Sequence, residues 1–146
     1  MTAGQAVIVL LLELMCPTWE RISAEDWRVY TSSEFGLYQY DTRSLRYPSD
    51  NIVRVRQKLV LNNRGTANLV QAMGSEYQRT KEIIIIREID CAAKRTHILG
   101  LIYVAEGGGV IERESYEPVE WDTIAPDSVD VFLYLAVCEG NEVTHD

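Results

Sequence analysis

Apolar and polar positions alternate most strictly over Ile52–Leu61. Val53, Val55, Leu59 and Leu61 fall on one side, interrupted by Gln57, while Arg54, Arg56 and Lys58 fall on the other. A period of two over that length predicts a strand with one packed face and one wet face, the wet one carrying a basic stripe. Residues 83–86 are four consecutive isoleucines. A β-branched run of this kind suits a central strand, here continuing to Cys91. Residues 27–30 and 37–40 read as two further strands, with Tyr38 and Tyr40 on one face and Leu37 and Gln39 on the other. Pro48-Ser49-Asp50-Asn51 is a turn cluster. Residues 95–104 and 110–116 predict two more strands, joined by a hairpin turn at Glu106-Gly107-Gly108-Gly109. Those glycines do not resemble a phosphate loop, which needs a Lys and a Ser or Thr and joins a strand to a helix.

Two segments follow a different rhythm. In residues 66–80, Leu69, Val70, Met73 and Tyr77 keep helical spacing and Gly74 weakens it, which predicts a short, irregular helix. Residues 131–137 are apolar all round, so periodicity alone leaves helix and strand open. Pro126-Asp127-Ser128 before them, with Asp127 or Ser128 as N-cap and Asp130 in the first turn, and Gly140 after them, select the helix. Val131, Leu135 and Cys138 then share its inward face. The pattern as a whole predicts an antiparallel sheet with one C-terminal helix, Trp27 and Trp121 anchoring the core and residues 141–146 frayed.

The chain's start has another logic. Residues 6–12 read AVIVLLL, where the apolar stretch of a secretory signal would lie, and Ile22-Ser23-Ala24 offers a cleavage point. Residues 1–24 are therefore expected to be a signal peptide and residues 25–146 a single domain. Met1 to Gln5 carry no Lys or Arg and Glu13 interrupts the run; the competing reading is a short buried element that stays attached. No stretch reaches 18 apolar residues, so no transmembrane segment is expected in the mature chain. Cys16 invites a lipoprotein reading, although Met15 stands where a small residue is expected. Cleavage leaves Cys91 and Cys138 as an even pair in an oxidising compartment, where a disulfide is the default. Such a bridge closes 47 residues, contributes about 3–4 kcal/mol in the chain-entropy account, and requires Cα atoms roughly 4.4–6.8 Å apart.

Charge narrows the partners. The chain of 146 residues carries a net −8, made up of −1 over residues 1–24, +3 over residues 25–105 and −10 over residues 106–146. An acidic protein is a poor candidate for nucleic acid, whose affinity rests on phosphate neutralisation. Internal pairing of the two halves is the simplest use of the asymmetry.

Candidate chemistry is sparse. Arg54, Arg56 and Lys58 either bind an acidic partner or pair across strands with carboxylates such as Glu88, Glu112 and Glu114. Tyr38 and Tyr40, with Tyr30, form either an aromatic binding patch or half-buried sheet packing. Glu112 and Glu114 share a strand face, but a catalytic carboxylate pair needs an apolar setting for one member, and nothing near them supplies it. His97 is the one histidine outside the tail, and no CxxC or HxxxH spacing occurs. No catalytic residue, cofactor or metal ligand is assigned.

Several local patterns also fall in a recognisable order. They are Trp27; Gly36-Leu37-Tyr38-Gln39-Tyr40-Asp41 with Ser44; Ile52-Val53-Arg54-Val55; Glu88-Ile89-Asp90-Cys91; Tyr103 with a glycine turn and Val110-Ile111; Trp121; Ile124-Ala125-Pro126-Asp127-Ser128; and Val137-Cys138. In this order they resemble the bacterial surface-adhesin protein E family over roughly residues 26–139. Residues 62–82 match nothing in the family pattern. The resemblance implies an α+β fold, a twisted antiparallel sheet of about six strands with one C-terminal helix packed on it. It also implies export to the periplasm or outer-membrane surface of a Gram-negative cell, and adhesion to a surface or matrix protein. The expected function is a non-enzymatic, protein-binding envelope module; the alternative is a structural or assembly subunit of the envelope, a homodimer through a sheet edge.

Overall fold

A computed structural model of the protein describes residues 25–117 and 120–139. The expected signal segment, Cys16 and the frayed tail lie outside the described residues. Eight strands form one antiparallel sheet. They are β1 Trp27–Ser33, β2 Gly36–Asp41, β3 Arg46–Ser49, β4 Ile52–Leu61, β5 Thr80–Asp90, β6 Arg95–Ala105, β7 Val110–Ser115 and β8 Asp122–Thr123. The main path runs β1-β2-β4-β5-β6-β7. These are the six strands the alternation predicts. The two extra strands are short: β3 pairs with β4 and contains Pro48, and β8 puts two residues against the start of β6. A proline within so short a run reads as a turn in sequence and is tolerated only at an edge or an irregularity.

The first helix, α1, is Asn63–Met73, followed by a 3-10 turn at Ser75–Tyr77. It begins earlier than the apolar spacing suggests because the Asn62 side chain accepts the Gly65 amide at 2.8 Å, an N-cap that replaces a missing intrahelical partner. It stops at Gly74, whose φ of 114° only glycine adopts easily and whose amide returns to the Val70 carbonyl at 2.8 Å. Gly65 lies inside the helix because nothing larger fits. An added Cβ would stand 2.2 Å from the Phe35 carbonyl oxygen and 2.8 Å from Leu61 Cδ2.

The second helix, α2, is Val129–Tyr134, with Ser128 at the N-cap, and continues as a π turn over Leu135–Glu139. It packs on one face of the sheet. Val53 and Val55 of β4, Ile89 of β5, Ile124, and Leu133, Tyr134 and Val137 form the core. The expected inward stripe needs correcting at Leu135, which is 42% exposed. Leu133, Tyr134 and Val137 stand at i, i+1 and i+4, the spacing of one helical face, and Leu135 falls outside that face. Asp130 in the first turn of α2 pairs at 3.1 Å with Arg87, a buried cation of β5. Cys91 and Cys138 form the expected disulfide, with Cα atoms 5.6 Å apart.

Tryptophan does not anchor this core. Trp27 and Trp121 are both half-buried and packed against charged side chains, whereas Tyr77, Tyr103 and Tyr134 are buried. At the other end of the sheet Tyr77 meets Tyr103 edge-on, ring centres 5.0 Å apart. Burial, followed by the Glu114 carboxylate, pushes the Tyr103 hydroxyl up to about 12.

Candidate protein-binding surface

Register decides what shares a face. Tyr40 lies opposite Gln57 and Tyr38 opposite Leu59, while Gln39 lies opposite Lys58. Tyr38 and Tyr40 therefore belong to the face that α2 packs on, and Arg54, Arg56 and Lys58 to the other. The two groups singled out in sequence do not form one site. Tyr30 joins the tyrosines, its ring centre 6.1 Å from each. Its hydroxyl accepts from the Gln57 amide. This explains the polar interruption in β4: Gln57 is buried and reaches the tyrosine cluster. Burial pushes the Tyr30 hydroxyl above its usual range.

The opposite face carries no residue of the α2 core cluster. Here the basic stripe is threaded with carboxylates. Arg54 holds Glu88 through Nε at 3.1 Å and Nη2 at 2.8 Å, and His97 Nε2 meets the other Glu88 oxygen at 2.8 Å. Burial raises the pKa of Glu88, but the hydrogen bonds from His97 and Arg54 outweigh it and hold the carboxyl below its usual value. Trp121 stacks on His97 with ring centres 3.7 Å apart, and Arg95 lies over the same indole. Lys58 Nζ sits 4.2 Å from the centre of the Trp27 ring and 3.5 Å from Glu82. Arg56 reaches the edge of the same arrangement, 3.7 Å from Glu25.

The stripe is thus paired, as the cross-strand reading anticipated for Glu88. Its other partners are Glu82 and Glu25. Glu112 and Glu114 instead lie opposite Tyr103 and Leu101, on the face away from the stripe. The roles of Glu82 and Trp27 could not be found without register, because Glu82 meets Lys58 diagonally across β4 and β5. Among the described residues, no group of three or more His, Cys, Asp or Glu side chains is placed to hold a metal ion.

Neutralised charges leave shape and apolar area as what this face offers. Val60, Ile84, Ile86 and Ile102 form a half-buried band at its centre. The band opens at the β1–β2 edge onto Leu37, 45% exposed, and Val29, 55% exposed. A charged ladder beside an open apolar band has the make-up of a protein interface: apolar centre, polar rim, aromatic and arginine side chains at the boundary. No described helix is long and apolar enough to cross a membrane.

No curated relative matches the sequence. Among solved structures, the crystal structure of protein E from non-typeable Haemophilus influenzae is similar in fold, with a TM-score of 0.51. The two share 12% identity, over 83% of this chain and 79% of the other. The profile of the surface-adhesin protein E family matches residues 19–139. Every strand of the sheet and both helices fall inside that match, and the chain belongs to the surface-adhesin protein E family.

Proposed function

We propose that the protein is a non-enzymatic, exported envelope module that binds another protein through the sheet face opposite α2. The observation that carries this reading is the band from Val29 and Leu37 to Ile84 and Ile102, apolar, open to solvent at one edge and rimmed by satisfied ion pairs. A polyanion would seek free cations, and those of this stripe are engaged. A partner protein would seek the apolar band and use the ladder for register. Family membership supports a surface location and an adhesin-like role.

Capture from envelope extracts and from host matrix preparations tests the reading. Val29→Ser and Leu37→Ser should abolish capture while leaving the melting temperature within a few degrees, since both side chains are exposed. Capture that survives both changes would move the interface elsewhere. Export with cleavage after Ala24 is part of the same proposal. Intact-mass measurement on envelope material should give a chain starting at Glu25; a cytosolic chain retaining residues 1–24 would refute it.

A further inference from the structure

The 3-10 turn Ser75–Tyr77 brings Tyr77 onto the helix-bearing face of the sheet, where its ring packs edge-on to Tyr103. Tyr103 lies opposite Glu112 across β6 and β7, and Leu101 lies opposite Glu114. On the β5 side, Tyr103 is opposite Ile83 and Leu101 opposite Ile85. Register thus sets both carboxylates beside the tyrosine pair and next to a half-buried apolar floor of Ile83, Ile85 and Leu101. The exposed Tyr116 donates its hydroxyl to Glu114, and Glu76 joins from the 3-10 turn itself.

Two observations separate this cluster from a solvated acidic surface. Tyr77 is 7% exposed, yet its hydroxyl has no hydrogen-bond partner among the described residues, and it is not sealed from solvent. Burial, then the carboxylates of Glu112, Glu114 and Glu76, raise the pKa of that hydroxyl, so it keeps its proton and looks onto three negative groups. Those carboxylates are themselves unspent. None of the three has an ion-pair partner among the described residues, whereas on the opposite face Glu25, Glu82 and Glu88 are all paired.

We propose that this cluster binds lysine or arginine side chains on a basic segment of a partner protein, the cationic head among Glu112, Glu114 and the Tyr77 hydroxyl and the aliphatic stem along Ile83 and Leu101. Charge complementarity names the occupant. The cluster offers acceptors, and an ammonium or guanidinium supplies donors that carry the opposite charge. A neutral phenol accepts from such a donor without adding to the charge. A metal ion fits less well: among the described residues the carboxylates are not grouped closely enough to hold one, and it would leave the apolar floor uncovered. The methylenes of a lysine or arginine stem cover that floor while the head stays with the carboxylates. The site lies on the opposite side of the sheet from the face proposed above for protein binding and does not rest on that reading.

The test is an NMR titration of the whole chain with three probes: a short blocked peptide of alternating lysine and leucine, its counterpart of alternating glutamate and leucine, and calcium chloride. The basic peptide should shift the amides of Tyr77, Tyr103 and Glu112 saturably. Glu112→Gln with Glu114→Gln should weaken it by about tenfold or more, the loss expected for charge-assisted contacts, without lowering the melting temperature. Tyr77→Phe keeps the ring packing and should weaken it less than that pair. Glu120→Gln with Asp122→Asn removes the same charge elsewhere in the acidic half and should change binding by less than about twofold. Equal losses from the two double variants would reduce the attraction to diffuse charge and overturn the proposal. Calcium or the acidic peptide saturating as tightly as the basic peptide, or no saturable response to the basic peptide, would overturn it too.

Discussion

The hydroxyl of Tyr134 donates to the carbonyl oxygen of Cys91 at 3.2 Å, so α2 grips the end of β5 twice, once through this hydrogen bond and once through the disulfide. Removing the bridge by Cys91→Ser or Cys138→Ser should cost about 2–5 kcal/mol, read as a lower denaturant midpoint. Tyr134→Phe in the oxidised chain should cost about 0.5–1.5 kcal/mol. An equal midpoint with and without reductant would show that the bridge adds nothing to the packing of α2.

Glu88 should make the fold acid-sensitive. Its folded pKa lies below the usual 4.5. Its contribution is therefore fully present above the unfolded value and is lost as pH falls through the folded one. Stability should drop below about pH 4.5, and Glu88→Gln should flatten that drop while costing about 1–3 kcal/mol at pH 7. Chemical denaturation across pH 3–7 reads both effects. An unchanged acid limb in the variant would assign the sensitivity to another carboxylate.

Gly65 sets helix propensity against packing. Alanine gains about 1 kcal/mol in an open helix. Here its Cβ would meet a backbone oxygen at 2.2 Å, so α1 would have to move away from Phe35. Gly65→Ala should be destabilising by about 1–3 kcal/mol. A higher melting temperature would mean that α1 can lift off the sheet freely.

Lys58 and Arg56 should differ although they are neighbours in one stripe. The Lys58 side chain is 14% exposed between Trp27 and Glu82, whereas Arg56 lies at the periphery of that stack. Lys58→Ser should cost about 1 kcal/mol and Arg56→Ser no more than about 0.5 kcal/mol. Equal costs would show that the indole contact adds nothing.

The sequence carried the sheet's main path because each of its strands has its own alternation or β-branched run. Cys91 and Cys138 were legible because the expected cleavage sets Cys16 aside, and the two cysteines left admit one pairing. What escaped was set by relations between segments. Tyr38 and Lys58 lie two strands' worth of sequence apart, and only the β2–β4 register shows that they face opposite ways. Trp27 and Trp121 were misplaced because an indole satisfied by Lys58 or His97 looks, in sequence, like any large apolar residue. Residues 131–137 are apolar all round, so nothing local marked which side of α2 meets the sheet, and Leu135 was placed inward.

The bridge between Cys91 and Cys138 also decides how the molecule bears tension. A pull applied beyond Glu139 passes through sulfur into the end of β5, a strand with hydrogen-bonded neighbours on both sides. The chain between the cysteines, which are 47 positions apart, carries none of that load and cannot lengthen under it. Force from that side must tear β5 from β4 and β6 together, whereas force from the other side meets β1, which has one neighbour and can peel. A protein built this way holds firmly in one direction and yields in the other.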